Sequence, residues 1–271
     1  MARTYVVTGS AAGIGQATKE LLTEQGGRVI GVDLRDADVI ADLSSPAGRQ
    51  HMVEAVTKIS GGQLEGVVAA AGIGSWFPAE TVVSTNYFGA ITTLDGLRPL
   101  LAKGNKPRAV ALASFALINS VDDAMVDACL GMDEDRARAI AQKSNNGRSA
   151  YSSSKRAISR WIRRQAPSEA WGGAGIALNG VAPGITDTPM NKDWLASPTG
   201  RAKMEAAVPM RYHGVMSARD LSAAVVWLVT PGSTAVSGQM LFVDGAADCV
   251  VRGDDIWDDH DWPPPAAAAK G

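Results

Sequence analysis

Tyr151 stands four positions ahead of Lys155 in the stretch SAYSSSKRAI, residues 149–158. The stretch reads as helix, and residues four apart share one helical face, so a phenol and an ammonium address a common spot. That is equipment for moving a proton to or from a reacting oxygen. A tyrosine with an ordinary pKa near ~10 is a poor base at neutrality, and a neighbouring cation favours its phenolate. Ser114, which closes the apolar run AVALAS at 109–114, adds a hydroxyl able to donate to an oxyanion forming there. Each feature alone has a plainer reading. Tyr-x-x-x-Lys spacing arises often by chance, a serine at a strand end caps a turn, and Asn86 in VSTNYFG satisfies buried backbone. Their occurrence together points to chemistry.

A second constellation lies near the amino end. VTGSAAGIG sets Gly9, Gly13 and Gly15 where a short β-branched run gives way to helical spacing. Glycines there permit positive φ and let a pyrophosphate reach the free N–H groups of a helix amino terminus. Asp33 closes the next apolar run, about 20 residues on, where a carboxylate accepts hydrogen bonds from a ribose 2′-hydroxyl and repels a 2′-phosphate. The two signals together predict a dinucleotide site that takes NAD in preference to NADP. Arg35 argues the other way if it meets a phosphate, and is neutral if it is a solvated surface cation. The GK[ST] ending of a P-loop is missing.

These residues need elements to hold them. Strand-like runs fall at 4–9, 28–33, 65–72, 109–114, 176–183 and 239–245, with helix-length segments at 15–27, 46–60, 79–98, 150–170 and 218–229. Such alternation predicts an α/β fold of Rossmann type: a doubly wound, mostly parallel sheet with helices on both faces, in one domain over 1–251. DVIADL at 38–43 also looks like a strand, but follows the second one too closely for a helical crossover. A short strand or an abbreviated connection is expected there. Two regions leave the alternation: a polar, helix-prone insertion at 115–149, and a segment at 185–217 rich in Pro, Met and Trp, read as a cap over the substrate. In the insertion, Met125, Ala128, Cys129 and Met132 recur at helical spacing. This stripe is expected to join Trp76, Phe77, Met190 and Trp194 in walling an apolar cleft; packing onto the body or a partner subunit is the plainer alternative. The tail at 252–271 is acidic and then of low complexity, so partial disorder is expected. Its DDHD at 258–261 reads as solvated charge, and no metal site is expected.

Composition narrows the field further. Hydrophobic residues make up 46% and charged residues 20% of the 271 positions, the balance of an ordinary soluble domain. A net charge of −2 offers no basic footprint for nucleic acid or a membrane surface. Cys129 and Cys249 supply neither a disulfide framework nor zinc spacing. Neither a signal peptide nor an apolar run of about 18 residues is visible, which predicts a cytoplasmic protein.

With TGSAAGIG, AYSSSK and LNGVAPGITDTPM in this order, the chain resembles the classical short-chain dehydrogenase/reductases over residues 4–248, and within them the bacterial hydroxysteroid dehydrogenase/carbonyl reductase branch. The resemblance implies an oxidoreductase that interconverts a secondary alcohol and a ketone with NAD(H), on a bulky alicyclic or steroid-like substrate. It implies Tyr151 as acid/base, Lys155 as its activator and a ligand of the nicotinamide ribose, Ser114 as partner of the substrate oxygen, and Asn86 as organiser of a proton relay. It further implies cofactor contacts at Ala12 and Ile14 between the glycines, at Leu34 beside Asp33, and at Asp42 and Leu43 near the adenine. Ala71 and Gly72 follow the 65–72 run, and Pro183, Gly184, Ile185, Thr186 and Thr188 surround the nicotinamide in the same implied set. Homodimers or homotetramers are usual, through the helices bearing Asn86 and Tyr151, a face that the 115–149 insertion can cover.

One departure from the pattern is Ala69, Ala70, Ala71 and Gly72 where Asn-Asn-Ala-Gly is usual. It removes side-chain hydrogen bonds that brace the central sheet. Two rival functions stand beside the main one. An extended-branch epimerase or dehydratase has a TGxxGxxG turn and a larger carboxyl-terminal domain, so spacing and length disfavour it. A catalytically silent NAD-binding regulator shares the fold, but has no use for Asn86, Ser114, Tyr151 and Lys155 together.

Overall fold

Strand Thr4–Thr8 (β1) reads TYVVT and is buried at all but its first residue. A strand apolar on both faces belongs inside a parallel sheet covered on two sides. In the computed structural model, which describes residues 2–254 and 256, β1 sits between its two neighbours in such a sheet. It turns through the glycines into helix Gly13–Glu24 (α1), followed by strands Arg28–Asp33 (β2) and Val39–Ile40 (β3). Helix Pro46–Ser60 (α2) leads to strand Gly66–Ala69 (β4), and helices Ala79–Val83 (α3) and Ala90–Leu101 (α4) are joined by a π-helical turn at Ser84–Gly89. Strand Arg108–Leu112 (β5) and a 3₁₀ turn at Phe115–Ile118 precede helices Asp123–Leu130 (α5), Glu134–Ser144 (α6) and Gly147–Gln165 (α7). Then come strands Ala177–Pro183 (β6) and Thr186–Asp187 (β7), helices Lys192–Ala196 (α8) and Pro198–Ala207 (α9), and strand Met216–Ser217 (β8). Helix Ala218–Val229 (α10), strand Met240–Val243 (β9) and helix Ala247–Arg252 (α11) complete the order.

Seven strands form one sheet in the order β3-β2-β1-β4-β5-β6-β9, parallel throughout. One face carries a core that includes Val6, Val67, Ala109, Leu94, Leu97, Ile158 and Trp161. The other packs Val7, Val68, Val110 and Val181 against Leu22, Leu221, Val225 and Val229. Successive residues of each strand thus feed opposite layers, as the pleat requires, and this makes the sheet doubly wound. The switch in strand order between β1 and β4 opens the crevice outside the carboxyl ends of the strands, where such folds bind ligands. Helix ends follow local chemistry. Ser45 accepts from the Gly48 N–H at the start of α2, Pro46 takes its first position, and Gly61 at φ 73° ends it.

The abbreviated connection expected after β2 is present. β3 pairs only Val39 with Val32 and Ile40 with Asp33, so the chain need retreat hardly at all along β2 and no crossover helix is required. Beyond that short pairing the Asp38 carboxylate accepts the Gly31 N–H at 2.7 Å, replacing a ladder bond with a side chain. A parallel pair of β7 and β8 ties the two ends of the 185–217 segment together; the sequence carries no strand signal there.

The insertion is helical, but its apolar stripe does not line a cleft. Met125, Ala128 and Cys129 are buried in the main core with Ala137, Ala141 and Tyr87, and α5 and α6 pack on α7 and α3. Met132 leaves the stripe altogether: it lies past the end of α5 at φ 56° and is 49% exposed. Asp122 accepts the Met125 N–H at 3.0 Å, a cap that turns the apolar side of the helix inward. Burial of the stripe therefore wins over the cleft expected from it. The acidic tail falls mostly beyond residue 256, outside the described residues, and so does DDHD.

Candidate active site

β5 delivers Ser114 just past its carboxyl end, and α7 delivers Tyr151 and Lys155 from the opposite side. Lys155 Nζ lies 5.6 Å from the centre of the Tyr151 ring and donates to the Leu112 carbonyl at 2.8 Å. Ser114 Oγ accepts the Ala116 N–H at 3.2 Å, starting the 3₁₀ turn, and the same hydroxyl is close enough to Tyr151 to bear on its pKa. Arg156, next to Lys155, holds this turn by donating to the carbonyls of Leu117 and Asn119. Ser153 on the same helix accepts the Asp122 N–H. The α7 helix thus positions both halves of the cluster.

Asn86 is fully buried in the π-helical turn. Its side-chain oxygen accepts the Ile73 N–H at 2.8 Å and its amide donates to the Ile73 carbonyl at 3.0 Å. Both arms are spent on the loop leaving β4. A Cβ added to Gly72 would stand 3.0 Å from Asn86 Oδ1 and 3.7 Å from Lys155 Nζ, which places Gly72, Asn86 and Lys155 in one corner. The brace lost with the Asn-Asn pair is partly restored by Thr8, whose hydroxyl accepts the N–H groups of both Ala70 and Ala71 at 3.1 Å.

Electrostatics of the cluster differ from the expectation that Lys155 lowers the phenol. Burial raises the Tyr151 pKa above its ordinary value, with the Ser114 hydrogen bond pulling back the other way. Burial lowers Lys155 from 10.5 to about 8. Each charged form loses its hydration in the same enclosure, and in the protein alone this burial dominates both shifts.

The glycine turn forms a cradle. Gly9 and Gly13 adopt φ of 69° and 55°. α1 begins without a side-chain cap and without an acidic residue in its first turn, so its free N–H groups and positive dipole end are available to an anion. Asp33 accepts the Ala11 N–H at 3.0 Å and the Leu34 N–H at 2.7 Å, which fixes its carboxylate beside the turn. A Cβ on Gly13 would meet the Thr188 side chain at 3.3 Å, so the 185–217 segment closes over the cradle. These features fit a dinucleotide. Leu34 and Asp42 are exposed, and Leu43, Ile185 and Thr186 are buried, which leaves the latter three their backbone for any contact. Asp42 accepts the Ser44 N–H at 2.9 Å. The turn at 183–185 is supported from below by Met210, whose sulfur accepts the Ile185 N–H at 3.2 Å. Nothing in the sequence around Met210 signals this.

The expected apolar cleft is not assembled from the insertion. Trp76, Phe77, Met190 and Trp194 are exposed, and the Trp76 and Phe77 rings lie 6.2 Å apart at a tilt of 34°. A cleft of about 800 Å³ within the 185–217 segment has a lining that includes the charged Asp187, Lys192 and Arg201, and among the candidate site residues it touches Thr188 alone. The Ser114, Tyr151 and Lys155 cluster lies elsewhere. Among the described residues no group of three or more His, Cys, Asp or Glu could hold a metal ion, and no helix is long and apolar enough to cross a membrane.

Comparisons with known proteins agree with the fold. Residues 137–246 match the family described as enoyl-(acyl carrier protein) reductase. The chain is 37% identical to the 3-alpha-hydroxysteroid dehydrogenase/carbonyl reductase of Comamonas testosteroni, across 91% of this chain and 97% of that protein. A glucose 1-dehydrogenase of Gluconobacter oxydans is 25% identical across 89% of this chain and 90% of its own length. Among solved structures, the 3-alpha-hydroxysteroid dehydrogenase from Pseudomonas sp. B-0831 complexed with NADH superposes with a TM-score of 0.85 and 38% identity, covering 93% of this chain and 99% of that one.

Proposed function

Because the chain belongs to the short-chain dehydrogenase/reductase family, we propose that it interconverts a ketone and a secondary alcohol with NAD(H), on a bulky apolar alicyclic or steroid-like substrate. The observation that carries this reading is the buried Lys155, 5.6 Å from the centre of the Tyr151 ring on the helix that also holds the turn after Ser114, together with the uncapped helix amino terminus at the glycine turn. When bound, NAD(H) supplies or accepts the hydride. The chain does the rest. Gly9, Ala12, Gly13, Ile14 and Gly15 hold the pyrophosphate, Asp33 and Leu34 the adenosine ribose, and Asp42 and Leu43 the adenine. Ala71, Gly72, Pro183, Gly184, Ile185, Thr186 and Thr188 would hold the nicotinamide half, and Lys155 would hold its ribose. A ketone gaining a hydride needs a proton on its oxygen; the Tyr151 phenol gives it, while the Ser114 hydroxyl donates to the same oxygen. Asn86 keeps the loop after β4 in place, so any part it has in a proton relay runs through main chain.

NAD over NADP is supported by the fixed Asp33 carboxylate, whose charge repels a 2′-phosphate. The exposed apolar side chains Trp76 and Phe77 on the loop after β4, and Met190 and Trp194 on the 185–217 segment, support a bulky apolar substrate, as do the names of the Comamonas and Pseudomonas relatives. The test is Tyr151→Phe, assayed by nicotinamide absorbance against a panel of steroid, alicyclic and aromatic ketones. Turnover should fall about 10²- to 10⁴-fold with NADH affinity nearly unchanged. Near wild-type turnover would remove Tyr151 from the chemistry and favour a silent NAD-binding regulator.

A further inference from the structure

Helix α6 sends two side chains out of the insertion to segments on which the proposed site depends. Glu134, in its first turn, pairs with Arg49 of α2: Nη1 lies 3.3 Å from Oε1, and Nη2 donates to Oε2. The pair is enclosed, with the two side chains only 6% and 18% exposed. Arg49 Nη1 also donates to the Leu43 carbonyl at 3.1 Å. On its other side Leu43 abuts the π-helical turn, since a Cβ on Gly89 would come within 3.2 Å of both the Leu43 Cβ and its carbonyl oxygen. One turn further along α6, Arg138 Nη1 donates to Ser84 Oγ at 2.6 Å. Ser84 is fully buried and opens the turn that carries Asn86.

An exposed ion pair fixes little, whereas a desolvated bidentate arginine holds both partners in one geometry. Here that geometry ends on a main-chain carbonyl of the segment assigned to the adenine. We propose that α6 is a two-armed brace: Glu134, acting through Arg49, sets the Leu43 carbonyl, and Arg138 sets the Asn86 turn, so that all three are positioning residues. The inference rests on the cofactor reading given above, with Asp42 and Leu43 on the adenine side.

The test measures NADH and AMP binding to the full chain by calorimetry, together with amide hydrogen exchange. The double variant Arg49→Met/Glu134→Met replaces the ion pair by apolar bulk, a change that buried pairs often tolerate, and leaves the Leu43 carbonyl without its donor. The dissociation constants of NADH and AMP should both rise about three- to tenfold. Glu134→Gln keeps Arg49 hydrogen-bonded and serves if the double variant fails to fold; it should raise both constants about threefold. Arg138→Met should leave AMP affinity unchanged and speed exchange of the Ile73 and 84–89 amides about three- to tenfold. Wild-type AMP affinity in the two folded Glu134 variants, or an equal loss of AMP affinity in Arg138→Met, would overturn the brace. If the unsubstituted chain binds neither NADH nor AMP, the cofactor reading itself fails, and that is seen before any variant is made.

Discussion

Burial drives both Lys155 and Tyr151 toward neutrality in the folded chain. An unfolded lysine keeps its proton to about 10.5, while the folded one releases it near about 8. Between those values the unfolded state binds more protons, so folding stability climbs with pH. Below pH 8 the buried ammonium costs roughly 3 kcal/mol, and the cost is relieved as pH rises. Above about 10 the raised Tyr151 acts with the opposite sign, because the folded phenol keeps a proton that the unfolded one loses. Without cofactor, the melting temperature of the wild type relative to Lys155→Met should therefore rise between pH 8 and 9.5. A flat difference would show that Lys155 stays charged. At Asp33 the prediction concerns selectivity: Asp33→Ala removes a charge-assisted contact of about 1.5 to 3 kcal/mol, so NADH should bind at least about tenfold more weakly and NADPH more tightly. Tighter NADPH than NADH binding in the wild type would refute it. The types and spacing of Gly13, Asp33, Tyr151 and Lys155 made this site legible in the sequence, since each has few alternatives that do the same work. Thr8, Arg156 and Met210 were not legible, because each acts on a backbone group distant in sequence, and nothing local marks that.

Among the elements, the strands and the helices α2 and α10 were legible because their periodicity and caps agree with their burial. The long helix expected over 79–98 is instead divided by the π-helical turn at Ser84–Gly89. Gly89 closes that turn, and Asn86 anchors it by reaching across to Ile73. The insertion was legible as helix but not in the direction its stripe faces, since spacing defines a stripe and leaves the surface that receives it undetermined. Met125 is fully buried, so Met125→Ala should cost about 2 to 5 kcal/mol in a urea melt, against less than about 0.5 for Met132→Ala. KM for large and small ketones should move together in both variants. A selective loss of large ketones in Met125→Ala would return the stripe to the substrate cleft.

At the scale of the molecule, α5 and α6 lie over α7 and α3, the side from which a partner would otherwise approach. A second surface remains: Trp227 stands 45% exposed on α10, and among the described residues β9 has no strand on its outer side. The assembly expected is a homodimer through α10 and β9, with no tetramer, so Trp227→Glu should give a monomer by light scattering. A tetramer in the wild type would contradict this. The opposite end of the sheet has a different character. Because β2 returns to β3 without a helix, the loop 34–38 is bounded by exposed Leu34 and Ile40 and includes Asp36 at φ 50°. Arg35 is exposed within it, beside the carboxylate assigned to the ribose. The loop is a ready substrate for trypsin, and its cleavage rate becomes a gauge of occupancy: nicking after Arg35 should be fast in the bare protein and slow in proportion to added NADH.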